Sequence, residues 1–292
     1  MRTRFHLAGF RILAFAVVTA LAGCQTIVHK ASDQFATNLG NAVLDSDDPA
    51  TIGDALPAYL LLLDSLIEAQ KPGDKNGAST LLAAAKLNGA YAGNFTGDDK
   101  ERAQRLSKKA FDYAKRGVCL QDAALCTAMG QDVDAFAAVV KNDGNTDLMY
   151  GLAVAWSGYL QSHTEDWGAI ADLPKVEALL NRVVALDPIH EHGQAYMYLG
   201  VINSVRPEAV GGKPELGRSY FEKAVELSGG KNLYAKTLEA EFYARLVFNQ
   251  ELHDKLLNEV LAADPVAPGF TLINTLAKQR AKKLLESGKD YF

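Results

Sequence analysis

Apolar residues recur at helical spacing along almost the whole chain after residue 30, and no stretch shows the apolar–polar alternation of a half-buried strand. Residues 176–184 carry valine and leucine at i, i+3, i+4, i+7 and i+8, which is the stripe of an amphipathic helix. Similar stripes run through residues 103–113, 216–227 and 252–260. The pattern predicts an all-α protein, because apolar stripes without strands must be buried between helices.

Five short breaks divide this pattern into helices of roughly 12–20 residues. Each break holds a glycine or a proline, which end helices by their backbone geometry. The stops at Asp187, Ser228 and Asp264 are 41 and 36 residues apart, close to the period of two-helix repeats, and Leu199-Gly200 stands where such repeats place a Leu-Gly pair. The sequence predicts a helical-repeat array of degenerate tetratricopeptide-like helix pairs with flanking helices; a non-repetitive helical bundle is the alternative. The breaks are Lys71–Gly73, Asn142–Gly144, Asp187–Pro188, Ser228–Gly230 and Asp264–Pro265.

The N-terminus has the pattern of a secretory signal. Residues 1–11 hold three arginines and no acid, and the apolar run that follows, about 11 residues long, is too short to cross a bilayer as a helix. The run ends in Leu21-Ala22-Gly23-Cys24, the form of the bacterial lipobox, in which the cysteine becomes lipidated. This pattern predicts cleavage before Cys24 and a diacylglycerol on its thiol. The alternative is an ordinary secreted protein in which Cys24 is incidental.

Cleavage would remove a signal peptide at 1–23 and leave a lipidated tether at 24–31 and a single α-helical domain at 32–292. Loss of three arginines would leave 27 of the 30 basic residues against 35 acidic ones, a net charge of −8, so the lipid and not the surface charge would hold the protein at a membrane. The acidic balance also argues against a nucleic-acid partner. Gln25, in place of an aspartate that signals inner-membrane retention, favours a periplasmic location at the outer membrane.

The other two cysteines, Cys119 and Cys126, predict a disulfide if Cys24 is lipidated, because the compartment is oxidising. Seven residues along one helix would place their Cα atoms about 10.5 Å apart, whereas a disulfide spans no more than about 7 Å. A bond therefore requires that residues 117–127 are not one continuous helix, and Gly117 and Gly130 favour a loop there. Two free, buried thiols are the alternative.

Three stretches resemble the T component of the TRAP (tripartite ATP-independent) transporters. The first is Asp47-Asp48-Pro49 followed by the leucine-rich segment from Gly53 to Ile67. The second is residues 207–212 with 219–224, and the third is residues 274–292. The likeness spans nearly all of residues 32–292 in order.

This resemblance implies tetratricopeptide-like repeats and, as partner, the periplasmic solute-binding protein of a TRAP transporter. It further implies a cleft or pore that holds or passes a small hydrophobic or organic-acid ligand, and it leaves open a homo-oligomer, a trimer by the family's example. The predicted function is a lipid-anchored periplasmic accessory protein of such a transport system. The alternative is a tetratricopeptide-like scaffold lipoprotein for outer-membrane or secretion assembly.

Aromatic residues of the middle helices are candidates for a ligand cleft or partner surface, because concave faces of repeat arrays bind through such side chains. Core packing is the alternative for each of them. Tyr196 and Tyr198 are two residues apart and point to different faces of a helix, so one of them is predicted at the surface. The Arg206–Lys213 loop offers two basic residues and two glycines to an acidic ligand or partner, or is a turn that lets two helices pack. The candidates are Tyr91, Phe95, Tyr150, Trp156, Trp167, Tyr196, Tyr198, Arg206, Gly211 and Gly212.

No motif in the sequence predicts an enzyme, a cofactor or a metal site. The Gly-x-Ser-x-Gly and His-Glu-x-x-His patterns are absent from the sequence. His190 and His192 are two residues apart and cannot face one metal ion from a helix. The sequence therefore favours a protein that binds other molecules over one that transforms them.

Overall fold

The computed structural model describes residues 38–71, 73–206 and 208–292, so the predicted signal, Cys24 and the whole tether lie outside the described residues. These residues are 79% helical and contain no strand, which confirms the all-α prediction. A helical segment at 38–44 precedes the labelled helices. They are α1 (Pro49–Glu68), α2 (Ala78–Asn94), α3 (Lys100–Gln121), α4 (Ala123–Ala128), α5 (Val133–Asn142), α6 (Thr146–Ser162), α7 (Trp167–Ile170), α8 (Leu173–Leu186), α9 (Gln194–Ser204), α10 (Pro214–Leu227), α11 (Leu233–Leu238, continued by a π-helical turn at Glu239–Ala244), α12 (Gln250–Ala262) and α13 (Thr271–Tyr291).

All five predicted breaks separate helices in the structure. Additional breaks precede the short helices α4, α5 and α7, and each of these helices begins after an aspartate. Asp122, Asp132 and Asp166 accept hydrogen bonds from backbone N–H groups of the first turn that follows them. Such caps satisfy donors that the first turn of a helix leaves free, which is why the chain can restart a helix there.

A disulfide joins Cys119 and Cys126, whose Cα atoms are 4.8 Å apart. The stretch is not a continuous helix, as a bond requires, but the expected loop is wrong. α3 ends at Gln121 and α4 begins at Ala123, with only Asp122 in an extended conformation (φ −132°, ψ 98°) between them. Gly117 lies buried inside α3, where a Cβ would come within 3.4 Å of the Ala78 carbonyl oxygen. One extended residue is therefore enough to turn two helices so that the sulfur atoms meet.

Helices that follow one another pack together: α2 with α3, α9 with α10, and α12 with α13. The largest core cluster lies between α3, α6 and α8, and the predicted α8 stripe is buried in it at Val176, Leu179 and Val183. In α10 the predicted stripe is confirmed only in part: Ala224 is fully buried, but Leu216 is exposed, and Phe221, outside the predicted stripe, is fully buried. Periodicity thus identified these helices, while packing decided which side chains are inside.

The first and last helices are in contact. Leu272 of α13 packs in one cluster with Ile52 and Leu56 of α1, and Tyr91 of α2 joins them. The backbone N–H of Gly269 also donates to the carboxylate that precedes α1, that of Asp45. Contacts therefore run from α2 through α6, α9, α11 and α13 and return through α1 to α2, a closed circuit of helices.

Candidate functional site

Trp156 and Tyr91 are buried in the core, as is a third predicted aromatic residue, Tyr150, which lies among other tyrosines. Trp156 is 2% exposed, with its ring 5.0 Å from that of Phe111 in a stacked arrangement. Tyr91 is also buried, and its hydroxyl accepts a hydrogen bond from Arg102 Nη2 at 3.1 Å. In this conformation neither the Trp156 ring nor the Tyr91 ring offers a surface to a ligand.

Three other predicted residues lie apart from one another. Phe95 is half-buried and packs against Gly53, where a Cβ would come within 2.9 Å of its ring. Trp167, at the start of α7, is 83% exposed. Tyr196 is half-buried, with its ring 5.9 Å from that of Tyr220 on α10. The structure does not bring these rings into one site.

The glycine-containing loop is a turn between α9 and α10. Gly211 has φ +84°, a conformation that favours glycine, and its N–H donates to the Glu208 carbonyl oxygen at 2.9 Å. Gly212 is buried, and Arg206 is exposed. The conformation of the turn therefore explains the glycines without a bound ligand.

Tyr150 and Tyr198 do come together, and a third tyrosine joins them. Tyr150 lies on α6, Tyr198 on α9 and Tyr234 on α11. Tyr198 packs against the apolar cluster that contains Tyr150, and Tyr198 interacts electrostatically with both Tyr150 and Tyr234. We call these three residues the tyrosine cluster. Burial raises the pKa of Tyr150 and of Tyr198 above its ordinary value, and the nearby carboxylate of Glu191 adds to both shifts. Burial also raises the pKa of Tyr234 above its ordinary value. All three hydroxyls are therefore protonated and neutral at physiological pH.

The three hydroxyls differ in their hydrogen bonds. Tyr150 donates to Gln194 Oε1 at 3.5 Å, a long bond, and the Tyr234 oxygen accepts from Arg280 Nη1 at 3.3 Å. Within the described residues the Tyr198 hydroxyl makes no hydrogen bond to the protein. Among the described residues, the Tyr198 oxygen is not one of the buried side-chain atoms that lack a partner, so solvent reaches it, and it is the hydroxyl of the cluster that is open to a ligand.

A strained turn borders the tyrosine cluster. In the 3-10 turn His190–Gly193, Glu191 and His192 have φ of +47° and +59°, which is rare for residues other than glycine. The Glu191 carboxylate is 2.9 Å from Lys86 Nζ on α2, and the His192 ring lies 5.3 Å from that of Phe270. These contacts hold the strained backbone in place, and strain of this kind concentrates at functional sites.

The sequence interpretation missed Tyr234, Glu191 and Arg280 as neighbours of the predicted tyrosines. One signal for Tyr234 was present: it follows Tyr198 by 36 residues, the same spacing as the stops at Ser228 and Asp264. Glu191 and Arg280 reach the cluster through tertiary packing, for which the sequence holds no local signal. Arg280 also forms two hydrogen bonds to Glu241, at 2.6 and 2.8 Å, so its charge is paired.

A separate shallow depression of about 360 Å³ lies on the outer side of α3 near the end of α6. Its lining is charged and polar, which does not suit an apolar ligand. Among the described residues no group of three or more His, Cys, Asp or Glu side chains is placed to hold a metal ion. The lining residues are Glu101, Gln104, Arg105, Lys108 and His163.

The chain matches the model of a known protein family over most of its length. The family model described as TRAP transporter T-component (TAtT) matches residues 45–292, a range that contains every labelled helix. No curated protein matches the chain.

Proposed function

The chain belongs to the TRAP transporter T-component family, and from this membership we propose that it is a lipid-anchored periplasmic accessory protein that docks the transporter's solute-binding protein and holds an organic ligand. The family is a component of a transport system and not a class of enzymes, which indicates an accessory role in TRAP transport at a periplasmic or membrane-associated location. The family match over residues 45–292 is the observation that carries the proposal.

We propose that the helix pairs are degenerate tetratricopeptide-like repeats. The pair α9–α10 supports this proposal, because its Leu199-Gly200 stands where such repeats place a small residue. A Cβ at Gly200 would lie 2.6 Å from the Phe221 ring, and one at Gly217 would lie 2.8 Å from the Gly200 carbonyl oxygen. The two helices thus approach closely through glycines, as a tightly packed repeat pair would.

The tyrosine cluster is the proposed ligand site. Its aromatic rings would pack against the apolar body of an organic acid, and its neutral hydroxyls would donate hydrogen bonds to a carboxylate. The free hydroxyl of Tyr198 supports this assignment, since a bound ligand would satisfy it. The ion pairs Lys86–Glu191 and Arg280–Glu241 lie at the edges of the cluster. Because each charge is already paired, these residues would orient the ligand and would not form a salt bridge with it.

The ligand proposal is tested with the organic acid that the cognate solute-binding protein carries. Tyr198→Phe keeps the ring and removes the hydroxyl, so the affinity measured by calorimetry should fall roughly three- to tenfold, as loss of one hydrogen bond predicts. The matched control is Tyr196→Phe, two residues away on another face of α9, which should bind as the wild type does. Equal affinity of all three proteins, or no binding by the wild type, would contradict the assignment.

The docking proposal is tested by retention of purified partners on the immobilised mature chain at micromolar concentration and low salt. Retention of the cognate solute-binding protein supports the transport role. Retention of envelope β-barrel proteins or of a secretin in its place would favour the scaffold function that the sequence left open.

We also propose that Cys24 carries the lipid anchor and that the outer membrane holds it. The lipobox and the basic N-terminal segment support this. Two or three acyl chains, at about 0.8 kcal/mol per buried methylene, would make the anchoring nearly irreversible. Mass spectrometry of the protein from its host should find the N-terminal cysteine acylated; an unmodified Cys24 would refute the anchor.

A further inference from the structure

One face of α1 is apolar, and no described residue of the chain covers it. Leu61, Leu62 and Leu66 are 70%, 55% and 49% exposed, and Ala55 and Ala58 lie exposed on the preceding turns. We call these five residues the α1 leucine face. The opposite side of the helix is packed into the protein, where it meets α2 and α13. Isolated exposed leucines are ordinary, but a contiguous apolar patch of this kind marks an interaction surface. The buried residues of the opposite side are Ile52, Leu56, Leu60 and Ile67.

Among the described residues, α1 is the one helix whose length and mean hydropathy would allow a membrane span, and only 22% of its apolar window is buried. Its packed side rules out a span through lipid, because Ile52, Leu56 and Leu60 are covered by the rest of the domain. The helix is thus part of the folded domain, with more apolar surface in water than a core helix has.

The charged residues around the α1 leucine face limit the kind of molecular surface that can bind to it. Residues 38–70 contain six acidic residues and no Lys, Arg or His. Asp54 and Glu68 lie exposed toward the two ends of the α1 leucine face, and Asp47 lies exposed before the helix. Asp64 is already paired with Lys109. The face therefore has an apolar centre and an acidic edge.

A lipid surface is a poor occupant. Helices that lie in a membrane interface carry Lys and Arg on their polar side, and anionic headgroups repel carboxylates. Pairing of two α1 helices about a two-fold axis is also a poor fit, because it would bring the acids of one copy against those of the other, with no base from this segment between them. Contact with a different surface of a second copy is an outcome of the test below. A lipid surface and a second α1 helix both offer apolar groups, but each would place negative charge against the carboxylates of this face.

We propose that the α1 leucine face docks a protein surface that has an apolar centre edged by Lys and Arg, and that this surface belongs to the solute-binding protein. The identification of the partner rests on the proposed function; the chemistry of the surface rests on the exposed leucines and the acids around them. Apolar anchors at the centre supply most of the binding energy at such interfaces, while charges at the rim steer the approach.

The test compares binding of the purified cognate solute-binding protein to three forms of the mature chain. Leu61→Ser/Leu62→Ser removes the centre of the face and should weaken binding at least tenfold. The matched control, Leu186→Ser/Ile189→Ser, removes two apolar side chains that are 40% and 66% exposed at the end of α8, and should bind normally. All four substitutions are at exposed sites, and thermal unfolding checks that each protein folds as the wild type does.

A second variant tests the acidic edge. Asp54→Lys/Glu68→Lys should slow association several-fold at low salt, and the difference from the wild type should shrink as salt rises, because rim charges act through a screened field. Unchanged association with this variant would overturn the charge argument and with it the stated partner chemistry.

The outcomes separate this inference from the function it builds on. If the wild type and Leu61→Ser/Leu62→Ser bind the solute-binding protein equally well, the docking face is wrong and the transport role stands. If the wild type does not bind it at all, both fail. Sedimentation or vesicle flotation in which self-association or lipid binding is lost only in the leucine variant would show a second copy or a membrane as the occupant and would also overturn the inference.

Discussion

At the level of single residues, the contact between α9 and α10 depends on space that glycine leaves free. Phe221 is fully buried, and its ring occupies the position above Gly200 where any other residue would carry its Cβ. Protein interiors are packed as densely as organic crystals, so an added methyl group there must displace the ring or the helix.

We therefore expect Gly200→Ala to lower the free energy of unfolding by roughly 1–3 kcal/mol, the usual range for overpacking a core. Urea denaturation at constant temperature measures it. The matched control is Gly158→Ala in α6, where a Cβ would meet no heavy atom within 4 Å. That substitution should stabilise the protein by up to about 1 kcal/mol, because alanine favours a helix over glycine. A Gly200→Ala variant as stable as the wild type would show that the helices can separate without loss.

Glu239 is a second residue whose surroundings predict a measurable effect. It opens the π-helical turn of α11 and is 4% exposed. Its nearest cation, Arg218, is 3.8 Å away and already bonded to Glu222 at 2.9 Å. Burial, with the Glu222 charge adding to it and Arg218 opposing it, raises the pKa of Glu239 from 4.5 to about 7. The folded protein therefore holds a proton on Glu239 at pH values where the unfolded chain has lost it.

The sign of the pH dependence follows from that proton. Between about pH 4.5 and pH 7 the folded state binds more protons at this site, so stability falls as pH rises through this window. Glu239→Gln removes the titration, and its unfolding free energy relative to the wild type should rise by on the order of 3 kcal/mol between pH 4.5 and pH 8. Urea denaturation at both pH values measures this difference. Glu165→Gln, at an exposed position, is the control and should show no such trend; a flat difference for Glu239→Gln would refute the shift.

At the level of secondary-structure elements, the junction between α3 and α4 combines a covalent bond with a local cap. Asp122 leaves the helical conformation, and its carboxylate accepts a hydrogen bond from the Leu125 N–H at 2.8 Å. Leu125 itself is fully buried in the main core. The disulfide therefore holds a short helix whose apolar side chain packs against the middle of the molecule.

Cys119→Ser/Cys126→Ser should lower the free energy of unfolding by about 2.5 kcal/mol, the chain-entropy value for so small a ring. Chemical denaturation of the variant measures the loss. Dithiothreitol should lower the stability of the wild type by the same amount and leave the variant unchanged. A wild type that is indifferent to the reductant would mean that the bond is absent in solution.

The helices and their ends show how much of the fold the sequence could predict. Hydrophobic periodicity identified the long helices and glycine or proline marked five of their ends, because both signals are local. The short helices α4, α5 and α7 were missed, since their starts depend on aspartate caps within otherwise featureless stretches. In α10, burial of Phe221 in place of Leu216 depended on the Gly200 gap in another helix, which no local pattern reveals.

The candidate site was also predictable only in part from the sequence. Tyr150 and Tyr198 were named from the sequence as aromatic residues of the middle helices. Their approach to each other, and to Glu191, results from the packing of α6, α9 and the strained turn before α9. A single sequence could not predict a positive φ at Glu191, because glutamate ordinarily avoids that conformation.

At the level of the whole molecule, contact between the first and last labelled helices changes how the helical domain should respond to a destabilising substitution. Open repeat arrays are stabilised by neighbours alone, so a terminal helix can unfold by itself. Here α1 packs on both α2 and α13, and Leu272 links it to the far end of the chain. Because only 22% of the apolar window of α1 is buried, these few contacts hold the helix that carries the proposed docking face.

Leu272→Ala tests the closure. Leu272 is 8% exposed, so its truncation should cost roughly 2–4 kcal/mol and should release α1, whose backbone amides would exchange with solvent faster than those of α6. Hydrogen exchange followed by mass spectrometry measures both regions in one experiment. The matched control is Leu257→Ala, a fully buried leucine of α12 whose cluster does not include α1. Leu257→Ala should destabilise the protein without a selective increase in hydrogen exchange of α1. If α1 is equally protected in both variants, contact with α13 does not stabilise α1, and α2 alone holds the α1 leucine face in place.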